Sequence, residues 1–491
     1  MFKSDLHYRK WLILILIVYI FLNGILYIRI GLMPDESNLL FTTKMMTQGF
    51  IPYKDYATDI KAPGMYYYLY PFLLITENWA IIKFSAFFIN ALSSIFLFMF
   101  VRRIFSEKVA FLSSILFLIV MSLPGTTGYT LTADRFVVLF SILTAYSFHR
   151  SFTDRKYLII SGIFLGLAFI FKQTGIMLIV FIFLFYLMNF LTNRNKKYAK
   201  NMFMSFFLIL LSFAIPVILV ILHYAYVDGL DKMIYWTTEG VFNHYKDSYI
   251  INDFIIRIAT IENAYQFSIM SIIWLLSLSM ILLILFKFIK NSASQNDIFL
   301  LAWIIGVSYP FIVILKYYML LTVPMVILTS VCLIEIFKSF KKENLYLKST
   351  VLTFFFLLII LSLSVNLYSE YNLQRYQPKL FSDIIKTSEY VKENTKSNEK
   401  IFVLGYAHEI YLFSGRNPPL GMFYLYLKPT INQTQEESTI GILSDNDIKI
   451  IVIAYTDQPI KDYIPDEYNY IQKNYNKEKT FGLFDIYRKN T

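Results

Sequence analysis

The chain has a single cysteine, Cys332, among 491 residues. That rules out an internal disulfide and any metal site built on cysteine. Charge is also scarce: 16% of residues are Asp, Glu, Lys or Arg, where a soluble globular chain carries about 25%. The five histidines, His7, His149, His223, His244 and His408, have no HExxH spacing and fall on different predicted elements, so no zinc site is expected. No GxxxxGK[ST] loop and no GxGxxG after a strand is present, which leaves no motif for nucleotide binding. Glycine is limited to 17 residues, and no internal repeat or low-complexity linker interrupts the chain.

What fills the sequence instead is apolar and aromatic. Such residues make up 57% of the chain, including 47 Phe and 38 Tyr, and the mean hydropathy is +0.53. Disorder, a fibrous protein and an ordinary cytosolic enzyme are excluded, and an integral membrane protein remains. A helix needs about 20 apolar residues to cross about 30 Å of hydrocarbon. Suitable runs lie near 11–30, 81–101, 109–124, 136–150, 157–171, 173–192, 202–227, 264–286, 298–314, 317–336 and 349–368, giving eleven predicted spans. The first is too long for a signal-peptide core and lacks a small-residue cleavage site before Pro34, so it reads as an uncleaved anchor.

The net charge of +11 would suggest nucleic acid in a soluble protein, but here most basic clusters sit at alternate ends of apolar runs. Arg9 and Lys10, Arg102 and Arg103, Arg150 with Arg155 and Lys156, Arg194 to Lys200, Lys287 with Lys290, and Lys338 to Lys348 mark cytoplasmic ends. The opposite side then receives segment 31–80, loop 123–135, the turn around Lys172, segment 228–263, the turn at Lys316 and everything after about 369. The N-terminus is expected inside and the C-terminal region outside, in the cytoplasmic (plasma) membrane.

Beyond residue 369 the character changes. An amphipathic stretch at 380–395, a strand-like run from Lys400 to Gly405, a further helical stretch, a second run from Ile448 to Ile453 and a last one from Thr480 to Tyr487 imply a small α/β domain. The fold class is therefore a mainly α polytopic membrane domain over 1–368, followed by an extracytoplasmic α/β domain over 369–491.

Segment 31–80 carries the densest chemistry. Asp35 and Glu36 follow Pro34 at the exit of the first span. Carboxylates beside hydrocarbon are costly and usually functional, although Pro-Asp-Glu also suits the start of a helix. Lys61 precedes a Pro63-Gly64 turn and the Tyr66-Tyr67-Tyr68 run. This reads as an interfacial helix, with Lys61 either snorkelling or holding an anionic headgroup.

Pro34-Asp35-Glu36, then Gly49-x-x-Pro52-Tyr53-x-Asp55-Tyr56, then Lys61-x-Pro63 before the tyrosines closely resemble the first external loop of membrane glycosyltransferases of the C superfamily (GT-C). Within it the match is to the protein-mannosyltransferase-like family 39 branch, which includes the lipid A aminoarabinose transferases. Gly166 to Gly175, with Lys172, resembles that branch's lysine-containing turn. Lys316-Tyr317-Tyr318 with Pro324 resembles its late-helix signature, and Gly405-Tyr406 through Arg416 and Pro418 a recurrent feature of its external domain.

The resemblance implies a GT-C fold of about eleven transmembrane helices and a transferase that takes its sugar from a polyprenyl-phosphate donor, with inversion. In such relatives the acid at the Asp35 position is the base towards the acceptor hydroxyl or helps bind a metal. Glu36 could substitute for Asp35 or orient it. Family members often carry an acid at the start of the helix after the second external loop, which makes Asp134 a further candidate. An Asp134–Arg135 boundary pair is the plainer reading. A base must reach the acceptor hydroxyl, and a departing lipid phosphate calls for fixed cationic or tyrosine donors. Lys61, Lys172 and Arg135 suit the phosphate, and Tyr53, Asp55, Tyr66 and Tyr317 are expected to contact substrate.

No cofactor is required by these motifs, although Asp35 and Asp134 could share a divalent ion. The expected partners are the lipid-linked donor, membrane lipid and an envelope glycan, lipid or protein acceptor, with no nucleic acid. Segment 228–263, with His244, Lys246, Asp247 and Glu262, reads as a structural loop, or as a lid over the site or an acceptor-binding segment, and Asn432-Gln-Thr434 is a glycosylation sequon. Two other classes fit many spans. A lipid-carrier flippase calls for ionisable groups at mid-membrane and paired half-repeats. A glycan polymerase or ligase of another multispan class would lean on Arg and His in a large loop.

Overall fold

The fold is taken from a computed structural model, which describes residues 10, 12–17, 19–20, 31–56, 61–122, 130–193, 196–241, 261–313, 319–339, 379–405, 407–419, 440–444, 447–454 and 465–490. The chain is mainly α and divides into two compact units. One comprises Met1–Tyr27, Phe84–Leu219 and Ile250–Asn372; the other comprises Ile28–Lys83, Val220–Tyr249 and Leu373–Thr491.

The helices are α1 (Pro34–Thr47), α2 (Gly64–Ile75), α3 (Trp79–Ile104), α4 (Glu107–Val120), α5 (Ala133–Arg150), α6 (Lys156–Phe171), α7 (Met177–Asn193), α8 (Lys196–Tyr226), α9 (Leu230–Thr237), α10 (Ile261–Ile289), α11 (Gln295–Val313) and α12 (Met319–Ser339). A helix at 379–393, called α13 here, opens the C-terminal domain. Nine of the eleven predicted spans coincide with α3 to α8 and α10 to α12. The first is helical at 12–17 and 19–20, and the last, 349–368, lies outside the described residues. Among the described residues five helices are long and apolar enough to cross a membrane. With the fold neighbours reported below, this makes a multi-pass membrane protein.

The helical unit is held by close approach and aromatic packing. Gly162 and Gly166 are four residues apart on α6, where a Cβ would collide with Ile209 O and Ser212 at the first position and with Pro216 and Phe213 O at the second. This small-xxx-small stripe lets α6 and α8 meet backbone to backbone. Gly306 does the same for α11, since a Cβ there would lie 2.5 Å from Phe181 Cα on α7. Around these contacts Phe148, Phe181, Phe185, Phe299 and Trp303 form one cluster, with Phe181 stacked on Trp303 at 5.6 Å and Phe148 edge-on to Phe185 at 5.2 Å.

In the other unit a four-stranded mixed sheet runs β1 (Phe402–Leu404), β2 (Ile450–Ala454), β4 (Phe484–Lys489), β3 (Tyr475–Phe481). β1 and β2 are parallel, pairing Phe402 with Ile451; the other pairs are antiparallel. All five residues of β2 are buried, as a central strand covered on both faces requires. α14 (Glu409–Ser414) and α15 (Pro465–Asn474) complete the domain.

One expected strand proves to be two. The run from Thr480 to Tyr487 is broken by a tight turn at Gly482-Leu483, so that Phe481 pairs with Phe484. Gly482 takes φ +57° there, open to glycine without strain. The unit's core also reaches beyond the C-terminal region, because Phe41 and Met45 of α1 and Tyr56 pack with Val391, Ile451, Val452 and Ile486.

Candidate active site

α1 begins where its sequence says a helix should. Pro34 takes the first helical position, and the Glu36 carboxylate folds back to accept from Met33 N–H at 2.9 Å. Both acids therefore sit in the first turn, where the helix dipole favours negative charge. Successive residues point about 100° apart around a helix, and the two carboxylates part company accordingly.

Glu36 turns inward. Its side chain and that of Lys83, in the second turn of α3, are each 1% exposed and meet at 2.9 Å. Lys83 Nζ also donates to Gly31 O at 2.7 Å. A buried ion pair of this kind holds only while both charges and their remaining hydrogen bonds are satisfied. Gly31 itself takes φ +81° with Phe381 packed where a Cβ would stand, so the chain turns into α1 at a position open only to glycine.

Asp35 turns outward. It is 55% exposed and accepts from Lys61 Nζ at 2.9 Å, with Lys61 at 25%. Lys61 is steered from behind: Tyr53 donates its hydroxyl to Lys61 O at 2.6 Å, and its ring lies between those of Tyr66, at 6.0 Å, and Tyr224, at 5.6 Å. Tyr53 adopts φ +66°, in the left-handed region that non-glycine residues rarely occupy. Asp55 accepts from Ile51 N–H at 2.7 Å and closes the same turn. Tyr56 donates to Thr42 O at 2.6 Å, tying the loop onto α1. Tyr53 and Tyr66 are buried.

A second acid–lysine pair lies in the other unit. Asp134, in the first turn of α5, accepts from Lys172 Nζ through both carboxylate oxygens at 2.8 Å; the side chains are 22% and 17% exposed. Lys172 is extended between α6 and the 3-10 turn Gln173–Ile176. Phe171 stacks on Phe136 at 4.5 Å and so sets the register of the lysine against the acid. Asp134 is thus partnered by Lys172 as well as adjoining Arg135 in sequence. Arg135 is 1% exposed, donates Nε–H to Thr130 O at 2.6 Å and places its guanidinium 6.0 Å from the Phe87 ring centre.

The remaining candidates are placed less fully. Tyr317, with Lys316 and Tyr318, lies outside the described residues, as do His244, Lys246, Asp247 and Asn432 to Thr434. In segment 228–263, α9 buries Met233 and Trp236. Among the described residues no three His, Cys, Asp or Glu side chains converge as a metal site would require.

Two groups went unseen in the sequence. Lys83 was legible as the lone charge in an otherwise apolar run, a signal of function or pairing by itself. Glu409 sits inside the Gly405-to-Pro418 feature, at the start of α14, and is 1% exposed. Burial pushes its carboxyl up to about 7, with the Glu36 charge adding to the shift and Ser37 opposing it. Neighbouring His408 is pushed the other way, to about 3, by burial and then by Lys61, so it stays neutral. The rest of that feature is architectural. Tyr411 accepts from Val403 N–H at 2.8 Å, and the Arg416 guanidinium donates to Lys392 O at 2.9 Å and Thr395 O at 2.7 Å, capping the end of α13.

Comparison with known families matches residues 61–220 to the family described as dolichyl-phosphate-mannose-protein mannosyltransferase. No curated protein matches the chain by sequence. Among solved structures, ArnT from Cupriavidus metallidurans in the apo state aligns with 99% of this chain and 98% of its own, at TM-score 0.64 and 10% identity. The same protein bound to undecaprenyl phosphate aligns over 98% of both chains at TM-score 0.60 and 11% identity. The Archaeoglobus fulgidus oligosaccharyltransferase tethered with an acceptor peptide aligns over 97% of this chain and 74% of its own, at TM-score 0.52 and 13% identity. At such identities the likeness is one of fold. The family match is confined to residues 61–220, while the fold shared with these membrane glycosyltransferase structures extends along nearly the whole chain.

Proposed function

We propose that this protein is a glycosyltransferase that moves a sugar from a polyprenyl-phosphate donor to an acceptor hydroxyl on the outer face of the cytoplasmic membrane, with inversion at the anomeric carbon. The observation that carries the reading is the accessible Asp35–Lys61 pair at the head of α1. In that reading the transmembrane domain is 1–368 and the domain over 369–491 is extracytoplasmic, as the basic clusters suggest.

The resting pair explains how base and phosphate site share one location. The arriving donor phosphodiester brings a second anion to Lys61 and competes with Asp35 for it. Asp35 is then released to take the proton of the acceptor hydroxyl as that oxygen bonds to the anomeric carbon. The bond from that carbon to the phosphate oxygen breaks in the same displacement, and Lys61 balances the charge gathering on the departing lipid phosphate. Tyr53 and Tyr66, buried behind the lysine, act by setting its position. Glu36 fixes the helix end, and Asp134 with Lys172 forms a second acid–lysine pair of the same chemistry. Arg135 anchors the start of α5.

Divalent ions take six or so oxygen ligands. Asp35 and Asp134 each already hold a lysine ammonium, a donor set that does not fit such an ion, so no step is routed through a metal. The undecaprenyl phosphate bound in the Cupriavidus ArnT structure supports the donor class assigned here.

The test uses purified protein in detergent with radiolabelled polyprenyl-phosphate sugars and crude envelope acceptor. Label passing to the acceptor is the expected result. Lipid that is bound or moved between leaflets of a vesicle with no label transferred would point to a flippase instead.

A further inference from the structure

Two lysines with no part in the transfer itself tie the loop ahead of Lys61 to the joint between α8 and α9. α8 ends at Tyr226, and the chain closes past it through Val227 N–H on His223 O at 3.1 Å and Gly229 N–H on Tyr224 O at 2.8 Å. Between them Asp228 takes φ +54°, the left-handed conformation in which helices commonly end. Lys54 Nζ donates to Val227 O at 2.8 Å, a cation at the negative end of the helix dipole. Lys232, in the first turn of α9, donates back to Lys54 O at 3.0 Å. Lys54 also stands 3.5 Å from the Asp228 carboxylate, but that side chain is 98% exposed, and a pair so open to water contributes little. The carbonyl of Val227 is the partner that matters.

The residue before Lys54 grips the same helix end. Tyr53 is buried and sets its ring 5.6 Å from that of Tyr224, in the last turn of α8. Its N–H donates to Tyr56 O at 2.7 Å, and its φ is +66°. A tyrosine keeps that conformation only where its surroundings over-determine it. Here they are Tyr56 O, the rings of Tyr66 and Tyr224, and the adjoining Lys54 held on Val227 O. What the turn delivers is the Tyr53 hydroxyl, which donates to Lys61 O at 2.6 Å. The path from the end of α8 to the site therefore runs from Val227 O through Lys54 and Tyr53 to the backbone of Lys61.

We propose that Lys54 is a positioning residue for Lys61: fastened to the end of α8, it holds the left-handed turn at Tyr53, whose hydroxyl fixes the backbone of the lysine that meets the donor phosphate. The inference rests on the reading of Lys61 as the phosphate partner. An ammonium held in place by its own backbone meets a phosphate without first being ordered, and one on a relaxed backbone pays that ordering on binding. The ion pair with Asp35 does not replace this support, because Asp35 competes with the phosphate for the same ammonium. Lys54 itself touches no reacting group.

Binding of undecaprenyl phosphate to the full-length protein in detergent tests the path. Lys61→Met is expected to weaken binding by about tenfold or more; unchanged affinity in that variant would remove the phosphate reading of Lys61, and the positioning role with it. Lys54→Met, checked for folding by thermal melting, should weaken binding by about tenfold, the order of one charge-assisted hydrogen bond. Lys54→Arg, whose guanidinium still donates to Val227 O, should stay within about threefold of wild type. The double variant decides whether Lys54 acts through Lys61: Lys54→Met added to Lys61→Met should then change affinity by less than about twofold. Wild-type affinity in Lys54→Met while Lys61→Met loses binding, or the same tenfold loss in both backgrounds, would overturn the positioning role and leave the phosphate reading standing. If Lys54→Met does not fold, Tyr53→Phe tests the same path, since it deletes only the hydroxyl on Lys61 O and keeps the ring in place. A loss of about tenfold is expected there too, and wild-type affinity would overturn the proposal.

Discussion

Removing either member of the Glu36–Lys83 pair should do more damage than removing both. Each side chain is 1% exposed, and they meet at 2.9 Å. Lys83→Met leaves the buried Glu36 carboxylate without its counter-charge, Met33 N–H still donating to it, and loss of one partner from a buried pair costs about 3–5 kcal/mol. Glu36→Leu strands the ammonium, with Gly31 O left to it, at a similar cost. In the double variant Glu36→Leu with Lys83→Met no charge is left buried. What is lost is one backbone partner at each end, Met33 N–H and Gly31 O, worth about 1 kcal/mol apiece. The double variant should therefore lie about 2 kcal/mol below wild type and above both single variants. The single effects should exceed it in sum by at least about 4 kcal/mol. Chemical unfolding of the four proteins in one detergent, analysed as a double-mutant cycle, supplies the numbers. Single effects that add to within about 0.5 kcal/mol would mean independent sites and would refute the claim that this pair holds the head of α1.

Three further expectations follow from the packing and the chemistry. Gly166→Leu puts a side chain where Pro216 and Phe213 O already stand and should cost about 1–3 kcal/mol or more, read as a lower melting temperature and poorer folded yield. Arg416→Lys keeps the charge but cannot span the Lys392, Thr395 and Ser414 oxygens. The C-terminal domain should lose about 2 kcal/mol, while transfer persists below the new melting point. Chelator added to the transfer assay should leave the rate unchanged, since the acids at hand are already held by lysines; a loss restored by one divalent ion would contradict that.

The membrane architecture was legible because apolar length is a one-dimensional property. Runs such as 202–227 announce themselves without any knowledge of neighbours, and α8 duly occupies that run. The acids and lysines were legible as residues but not as partners. Asp35 with Lys61, and Asp134 with Lys172, are 26 and 38 positions apart, and nothing in the linear pattern says that each carboxylate chooses that lysine. Asp35 and Glu36 looked equivalent in sequence; one step around a helix sends one to solvent and the other into the interior. Lys83 was overlooked because a single charge scarcely dents an apolar run, and Glu409 because nothing local marks a glutamate that will be buried. The Thr480-to-Tyr487 run read as one strand since Gly482 is its only break. A two-residue turn needs little more than one glycine at positive φ.

The central claim, that Asp35 is the base and Lys61 the phosphate partner it gives up, is tested most directly by Asp35→Asn. The variant removes the charge and keeps the shape, so binding and chemistry can be measured on the same preparation. The account predicts that Asp35→Asn binds undecaprenyl phosphate at least as tightly as wild type, because Lys61 no longer has a competing carboxylate, yet transfers no label to acceptor. Near-normal turnover by Asp35→Asn would contradict it.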